Sequence, residues 1–452
     1  MRSRKTITTI VATAILLAGW QLFAVIANQP ELIPSLPRLV RTLCEWLVSG
    51  SFYQSVGATI LRGILGMSIS FVCAIGMAGL FARFEWVYEL FRPLLAIMRS
   101  IPVISFILLA LIFLNPESIP LMIAFLTMFP LLTENLTRGI LDLRPGLSIM
   151  ARQFHIKRSN VLFQIIYPQL KPFLYSGLAS AAGFGWRAII MGEVLSQCAF
   201  GIGSEMKRAQ NFIAVPELLA WTIVAVFISF FFDKGISKVA DITPKISFAN
   251  EDQTIPTPTL SVLDTKDISY QYGIQHFSHS FQKGIIYGIS APSGKGKTTL
   301  LNLIGGILLP TEGEIHPTRH FGIATIFQQP QLLPHLTAEE NIILPLSSFL
   351  TEEKARRIAQ KHLQEMEMEP FGNRYPKELS YGQQQRIAIA RALAYPSPLL
   401  LMDEPFKGLD EALSHRIIER IREKQMKEER IILFTSHNPD EIRLLADEVI
   451  YL

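Results

Sequence analysis

Charge is what this sequence has least of. Asp, Glu, Lys and Arg together make up 18% of its 452 residues, against roughly 25% in ordinary soluble proteins, so part of the chain is expected to sit in a bilayer. Cysteine is scarce too. Cys44, Cys73 and Cys198 stand far apart among apolar or loop segments, which excludes a disulfide framework and a zinc site of paired ligands. A net charge of +4 leaves no basic surplus for nucleic acid. Internal repeats and low-complexity tracts are absent. The length exceeds that of a usual single domain, so at least two folding units are expected.

What is present divides unevenly. Long apolar runs fill the chain before about Asp233, whereas 351–369 and 410–430 are densely charged. A spanning helix needs about 20 mostly apolar residues, because hydrocarbon tolerates no unpaired backbone groups. Six segments are candidates: 7–27, 58–82, 101–114, 119–132, 174–195 and 215–232. Basic residues mark the cytoplasmic side. Arg2, Arg4 and Lys5 place the amino end inside, Arg83, Arg92 and Arg99 the next inward loop, and Arg138, Arg144, Arg152, Lys157, Arg158 and Lys171 the one after. Arg38, Arg41, Lys207 and Arg208 run against the rule. The start of the chain also fits a cleaved secretory signal, but cleavage would break a topology that returns the second half to the cytoplasm. Arg187 and Glu193 fall within the fifth segment, where charge is costly; Arg187 is read either as facing a translocation path for an anion or as an interhelical contact.

Between 240 and 259 the sequence turns polar and proline-spotted, as an interdomain linker does. Beyond it, β-rich runs alternate with amphipathic helical stretches, the pattern of an α/β layer with a largely parallel core. The run APSGKGKT at 291–298 sits between an expected strand and an expected helix, the setting of a phosphate-binding loop. Gly294 and Gly296 let backbone N–H groups turn toward phosphate oxygens, and the following helix adds its positive end. Lys297 would reach the β and γ phosphates and the Thr298 hydroxyl would complete a magnesium shell. Ser293, Lys295 and Thr299 complete the expected contacts. Ala291 stands where the motif has glycine, and would strain the loop if that position needs positive φ.

The run LSYGQ at 379–383, followed by Arg386 and a helical stretch, resembles the signature of ABC ATPases, with Tyr381 in place of the usual glycine. LLLMDEP at 399–405 resembles the family's Walker B strand, Gln328 its glutamine loop, His437 its switch histidine and Asp410 its D-loop aspartate. The order and spacing of these elements over 260–452 carry the resemblance. It implies ATP and Mg2+ as cofactors, with Asp403, Thr298 and Gln328 at the metal, Glu404 as general base, and His437 and Gln328 in catalysis. Two such domains would sandwich two nucleotides, so Ser380, Gly382 and Gln383 would act across the dimer. Tyr272 is the expected adenine stack, with Tyr270 as competitor. Lys407 and Gly408 depart from the small residues usual before the D-loop aspartate.

The basic stretch from Met150 to Arg158 and on to Pro168 resembles the coupling loop of binding-protein-dependent importers, Ile149 and His155 replacing the usual glutamate and glycine. Residues 33–203, with PSLP at 34–37, SIP at 100–102 and Trp186, Glu193 and Gly201 to Gly203, are similar to the permease family for nitrate, sulfonates and taurine, some of whose members take vitamin precursors. The expected fold is multi-domain: an all-α transmembrane permease of about six spans, type I importer-like, over 1–239, a linker over 240–259, and an α/β P-loop ABC ATPase over 260–452. The resemblance implies an inner-membrane importer embedded in lipid, with its ATPase in the cytoplasm. It would act as a homodimer, take a small solute from a separate extracytoplasmic binding protein, and bind no nucleic acid. An ABC exporter, or a regulatory ATPase that transports nothing, is the alternative.

Overall fold

The computed structural model describes residues 2–240, 244–253, 260–271, 273–292, 294–317 and 322–452. They form two compact units, one of Met1–Leu143 with Gln169–Thr243, the other of Arg144–Pro168 with Pro244–Leu452. The basic segment Arg144–Pro168 is thus grouped with the charged half of the chain, although it lies inside the expected permease range 1–239.

The first unit is helical. Its longest helix in one piece, Gly50–Arg83, buries Ser55, Thr59, Gly63, Gly66, Ser70, Ala74, Ala78 and Phe81, a stripe of mostly small residues at helical spacing. Small side chains let two helices approach closely where lipid offers no hydrophobic drive. The partner is Ile119–Leu141: a Cβ added at Gly66 would lie 2.6 Å from that of Ala124. Glu193, buried in the helix Tyr167–Ser196, accepts from Thr59 Oγ1 at 2.9 Å, from the Gly203 amide at 2.9 Å and from Arg62 Nη1 at 2.8 Å. A charge too costly to bury alone is therefore paired and hydrogen-bonded. Arg187 is exposed on the same helix.

Among the described residues four helical stretches are long and apolar enough to cross a membrane, Gly50–Arg83, Pro116–Leu141, Arg158–Ser196 and Val215–Val239. The segment expected at 101–114 is a short helix, Val103–Phe113, set at 94° to the helix Glu85–Ser100; counting that pair as one span gives five. The cause is Pro102, which has no N–H to continue a helix and pushes Ile101 into extended backbone at φ −70°, ψ 129°. The segment at 7–27 lies in the helix Arg2–Ala27, 26 residues long, whose stretch Val11–Ala27 is apolar.

The second unit has two sheets. Strands β1 (Val262–Tyr270), β2 (Ile274–Gln282) and, later in the chain, β4 (Glu312–His316) form an antiparallel sheet in the order β2-β1-β4. Strands β3 (Ile286–Ser290), β5 (Ala324–Ile326), β6 (Leu399–Asp403), β7 (Ile431–Thr435) and β8 (Glu448–Tyr451) form a parallel sheet in the order β5-β6-β7-β3-β8. β6 and β7 are buried along their whole length, which is why they read as unbroken apolar runs without alternation. β3, β6 and β7 all end at one edge, with Asp403 level with Thr435 and Ile289 level with Thr435.

Segment Arg144–Pro168 enters this unit's core. Leu147, Met150, Phe154 and Ile165 are buried with Ile326, Ile342 and Tyr395. The Phe154 ring meets Tyr395 edge-on at 5.1 Å and lies 5.4 Å from the Arg391 guanidinium. Polar contacts fix the register: Gln153 Nε2 donates to Gly305 O at 2.8 Å, and its carbonyl accepts from the Ile323 amide at 2.8 Å, just before β5. Of the expected linker, 244–253 is bound along its length. Ala249 and Gln253 amides donate to Ser347 and Phe349 carbonyls, and Asn160 exchanges hydrogen bonds with the Ser247 backbone. Residues 241–243 and 254–259 lie outside the described residues.

Candidate active site

The phosphate loop leaves β3 and enters the helix Lys297–Ile304. Gly294 and Gly296 have φ of +80° and +87°, a region that only glycine enters without strain. A Cβ at Gly296 would also lie 2.5 Å from Gly273 O. Ala291 is not among the residues of positive φ, so alanine there carries no strain of that kind. Its carbonyl accepts from Lys297 Nζ at 2.7 Å. The Lys297 side chain is mostly buried, and an ammonium so placed needs acceptors.

The end of β6 supplies the acids. Asp403 is buried; its Oδ1 accepts from Thr435 Oγ1 at 2.8 Å and its Oδ2 from Thr298 Oγ1 at 2.9 Å. Burial pushes its carboxyl above the usual carboxylate range, against the two hydroxyl donors. Glu404 follows at φ +48°, a left-handed conformation rare for a side-chain-bearing residue and a common mark of a site where geometry is imposed. Its amide donates to Thr435 Oγ1 at 3.1 Å. Burial would raise the Glu404 carboxyl, but hydrogen bonds from Lys407 and Gln328 outweigh it and hold the group below the usual range. Lys407 Nζ lies 3.3 Å from Glu404 Oε2.

His437 joins the two halves of the site. Lys297 Nζ is 3.2 Å from its Nδ1 and Glu404 Oε1 is 2.9 Å from its Nε2. A lysine ammonium only donates, so Nδ1 is the acceptor and the ring is neutral, with its proton on Nε2 directed at the carboxylate. Lys297, Thr298, Asp403, Glu404, Gln328 and His437, scattered through 140 positions of sequence, are thereby one connected set.

The other expected residues sit in different company. Ser380 caps the helix Tyr381–Ala394: its Oγ accepts from the Gln383 amide at 3.3 Å, and Gln383 Oε1 accepts from the Ser380 amide at 2.9 Å. Asp410 Oδ1 caps the helix Glu411–Glu428 by accepting from the Leu413 amide at 2.9 Å. Gly382 lies against the carbonyl of Gly408, which a Cβ would meet at 2.6 Å. Lys295 is exposed at the loop tip, and Thr299 is half-buried one turn into the helix. Tyr272 and Ser293 lie outside the described residues. Sequence reading missed Thr435, which bridges Asp403 and the Glu404 backbone. The Thr-Ser pair before His437 was its only signal, and its meaning depends on β6 and β7 being neighbours.

Comparison with known proteins places both halves. Residues 274–407 match the ABC transporter family, and residues 56–233 match the binding-protein-dependent transport system inner membrane component. The chain is 34% identical over 205 residues to the thiamine import ATP-binding protein ThiQ of Yersinia pseudotuberculosis, covering 42% of this chain and 86% of ThiQ. It is 35% identical over 189 residues to the Fe(3+) ions import ATP-binding protein FbpC of Rhizobium etli, covering 40% of this chain and 54% of that protein. It is 35% identical over 185 residues to the glucose import ATP-binding protein GlcV of Saccharolobus solfataricus, covering 38% and 52%. The chain thus spans about half the length of FbpC and GlcV. With the two family matches side by side on one polypeptide, the chain belongs to the ABC transporter family and joins a multi-pass membrane domain to an ATP-binding domain.

Proposed function

We propose that this protein is an ATP-driven solute importer of the cytoplasmic membrane, with its ATPase on the cytoplasmic side, working as a homodimer with a separate extracytoplasmic binding protein. The observation that carries the reading is the burial of Leu147, Met150, Phe154 and Ile165, from within the permease-like stretch, in the core of the ATPase. A segment held by packing and by Gln153 at both its amide and its carbonyl cannot stay still while the ATPase changes shape.

In hydrolysis, Gly294, Gly296 and the start of the helix at Lys297 cradle phosphates with backbone N–H groups. Lys297 leaves its Ala291 and His437 partners to meet phosphate charge. The Thr298 hydroxyl and the Asp403 carboxylate, already 2.9 Å apart, would hold a hydrated Mg2+ with Gln328 near it, and such an ion would offset phosphate charge. Glu404, ionised and aimed by His437, takes the proton from the attacking water. Ser380, Gly382 and Gln383 serve the nucleotide of the partner copy.

The solute is not encoded in the ATPase half, since ThiQ, FbpC and GlcV are named for thiamine, Fe(3+) and glucose. The permease resemblance favours a small anion such as nitrate or a sulfonate, or a vitamin precursor. The test is ATP hydrolysis by lipid-reconstituted protein, with candidate binding proteins loaded from a solute panel and Glu404→Gln as blank. Stimulation by one loaded partner supports import; activity indifferent to the authentic partner overturns it.

A further inference from the structure

Two features that set this chain apart from its family's sequence pattern, Tyr381 in the signature and Gly408 before the D-loop aspartate, touch each other. The Tyr381 hydroxyl donates to the backbone carbonyl of Gln328 at 2.7 Å. Its ring lies over Gly408, where an added Cβ would be 2.8 Å from Cδ1, at a φ of +80°. Any side chain at 408 would push the ring away, and only glycine takes that backbone conformation without strain. One residue on, Gly382 packs on the Gly408 carbonyl. The bulk gained at 381 is thus matched by its absence at 408, and the phenol bridges three loops: the one carrying Gln328, the start of the signature helix, and the turn before Asp410.

We infer that Tyr381 is a positioning residue that ties the Gln328 loop to the signature helix, so that the two nucleotide sites of the dimer report on each other. The inference rests on the dimeric ATPase proposed above. On that reading Gln328, hydrogen-bonded to Glu404, would face the nucleotide of its own chain, whereas Ser380 and Gly382 would face that of the partner. A glycine at 381 would leave the Gln328 loop tied to this helix at its far end, where Arg391 donates to the Pro330 and Gln331 carbonyls at 2.9 and 2.8 Å, with no such tie at the signature end. The tyrosine adds a direct hydrogen bond, and a movement of Gln328 toward nucleotide on one side pulls on the signature offered to the other. Coupling of this kind appears as cooperativity in ATP, with a Hill coefficient bounded by the two sites.

The experiment is the ATP dependence of hydrolysis by the full chain in lipid, for wild type, Tyr381→Phe and Gly408→Ala. Phenylalanine keeps the ring and removes only the hydroxyl; alanine keeps the hydroxyl and displaces the ring, so the two variants break the bridge independently. Expected are a wild-type Hill coefficient of about 1.5–2, a fall to about 1 in both variants, and a half-saturating ATP raised about threefold with a smaller change in kcat. A purely structural role would lower kcat or yield without changing the shape of the curve, and that result overturns the inference. So does a wild-type coefficient of 1, or a sigmoidal curve retained in both variants. Wild-type hydrolysis no faster than Glu404→Gln would overturn the ATPase reading itself, and this inference with it.

Discussion

His437 Nε2 stands 2.9 Å from Glu404 Oε1, while its other nitrogen takes the Lys297 ammonium at 3.2 Å. The imidazole is therefore a neutral link between Lys297 and Glu404, the lysine and the base of the proposed mechanism. It orients Glu404 without neutralising it.

Replacing Glu404 by Gln is expected to leave nucleotide binding intact and to slow hydrolysis by about 10²–10⁴-fold, the usual weight of a positioned general base. Phosphate release and nucleotide binding, measured on the same sample, check the two halves of this statement. Turnover at the wild-type rate would remove Glu404 from its role.

Phe154→Ala takes a fully buried ring from between Tyr395 and Arg391. The expected loss is about 3–5 kcal/mol of stability in the ATPase unit. If the variant is assembled at low temperature, hydrolysis should persist while its stimulation by a loaded binding protein falls. Calorimetry and ATPase assays read these separately; unchanged stimulation would show that the segment transmits nothing.

Acid should weaken the ATPase unit through His362. Burial first, then the charges of Lys424, Lys361 and Arg430, lower its pKa from 6.5 to about 3. Between those values the unfolded chain binds a proton that the folded chain refuses, so stability falls as pH drops from 6.5 toward 3. Glu365, whose carboxylate lies 2.6 Å from His362 Nδ1, favours the protonated ring and works against this loss, which by pH 5 is at most about 2 kcal/mol. His362→Asn should flatten that part of the stability curve, and an unchanged slope would assign the acid sensitivity to other groups.

Gly66→Val forces a side chain into the 2.6 Å gap against Ala124. Overpacking of this kind costs about 1–3 kcal/mol, and the thermal midpoint of the detergent-solubilised protein should drop. An unshifted midpoint would mean that the two helices stand further apart in the membrane.

The residues of the candidate site were legible in the sequence because each part is a local pattern. Glycines 294 and 296 with Lys297, the apolar strand closed by Asp403 and Glu404, and the α/β alternation of 260–452 depend on residues within a few positions of one another. Tertiary structure decided what distance in sequence hides. Thr435 became the partner of Asp403 only because β7 is hydrogen-bonded beside β6, and Arg62 that of Glu193 only because two distant helices meet. Hydropathy gave the apolar runs but not the bend at Ile101 and Pro102, since a count of apolar residues is blind to one missing N–H. It also could not show that 144–168 leaves the helical unit for the ATPase core. Burial depends on which surfaces meet, and that is settled only when the whole chain has folded.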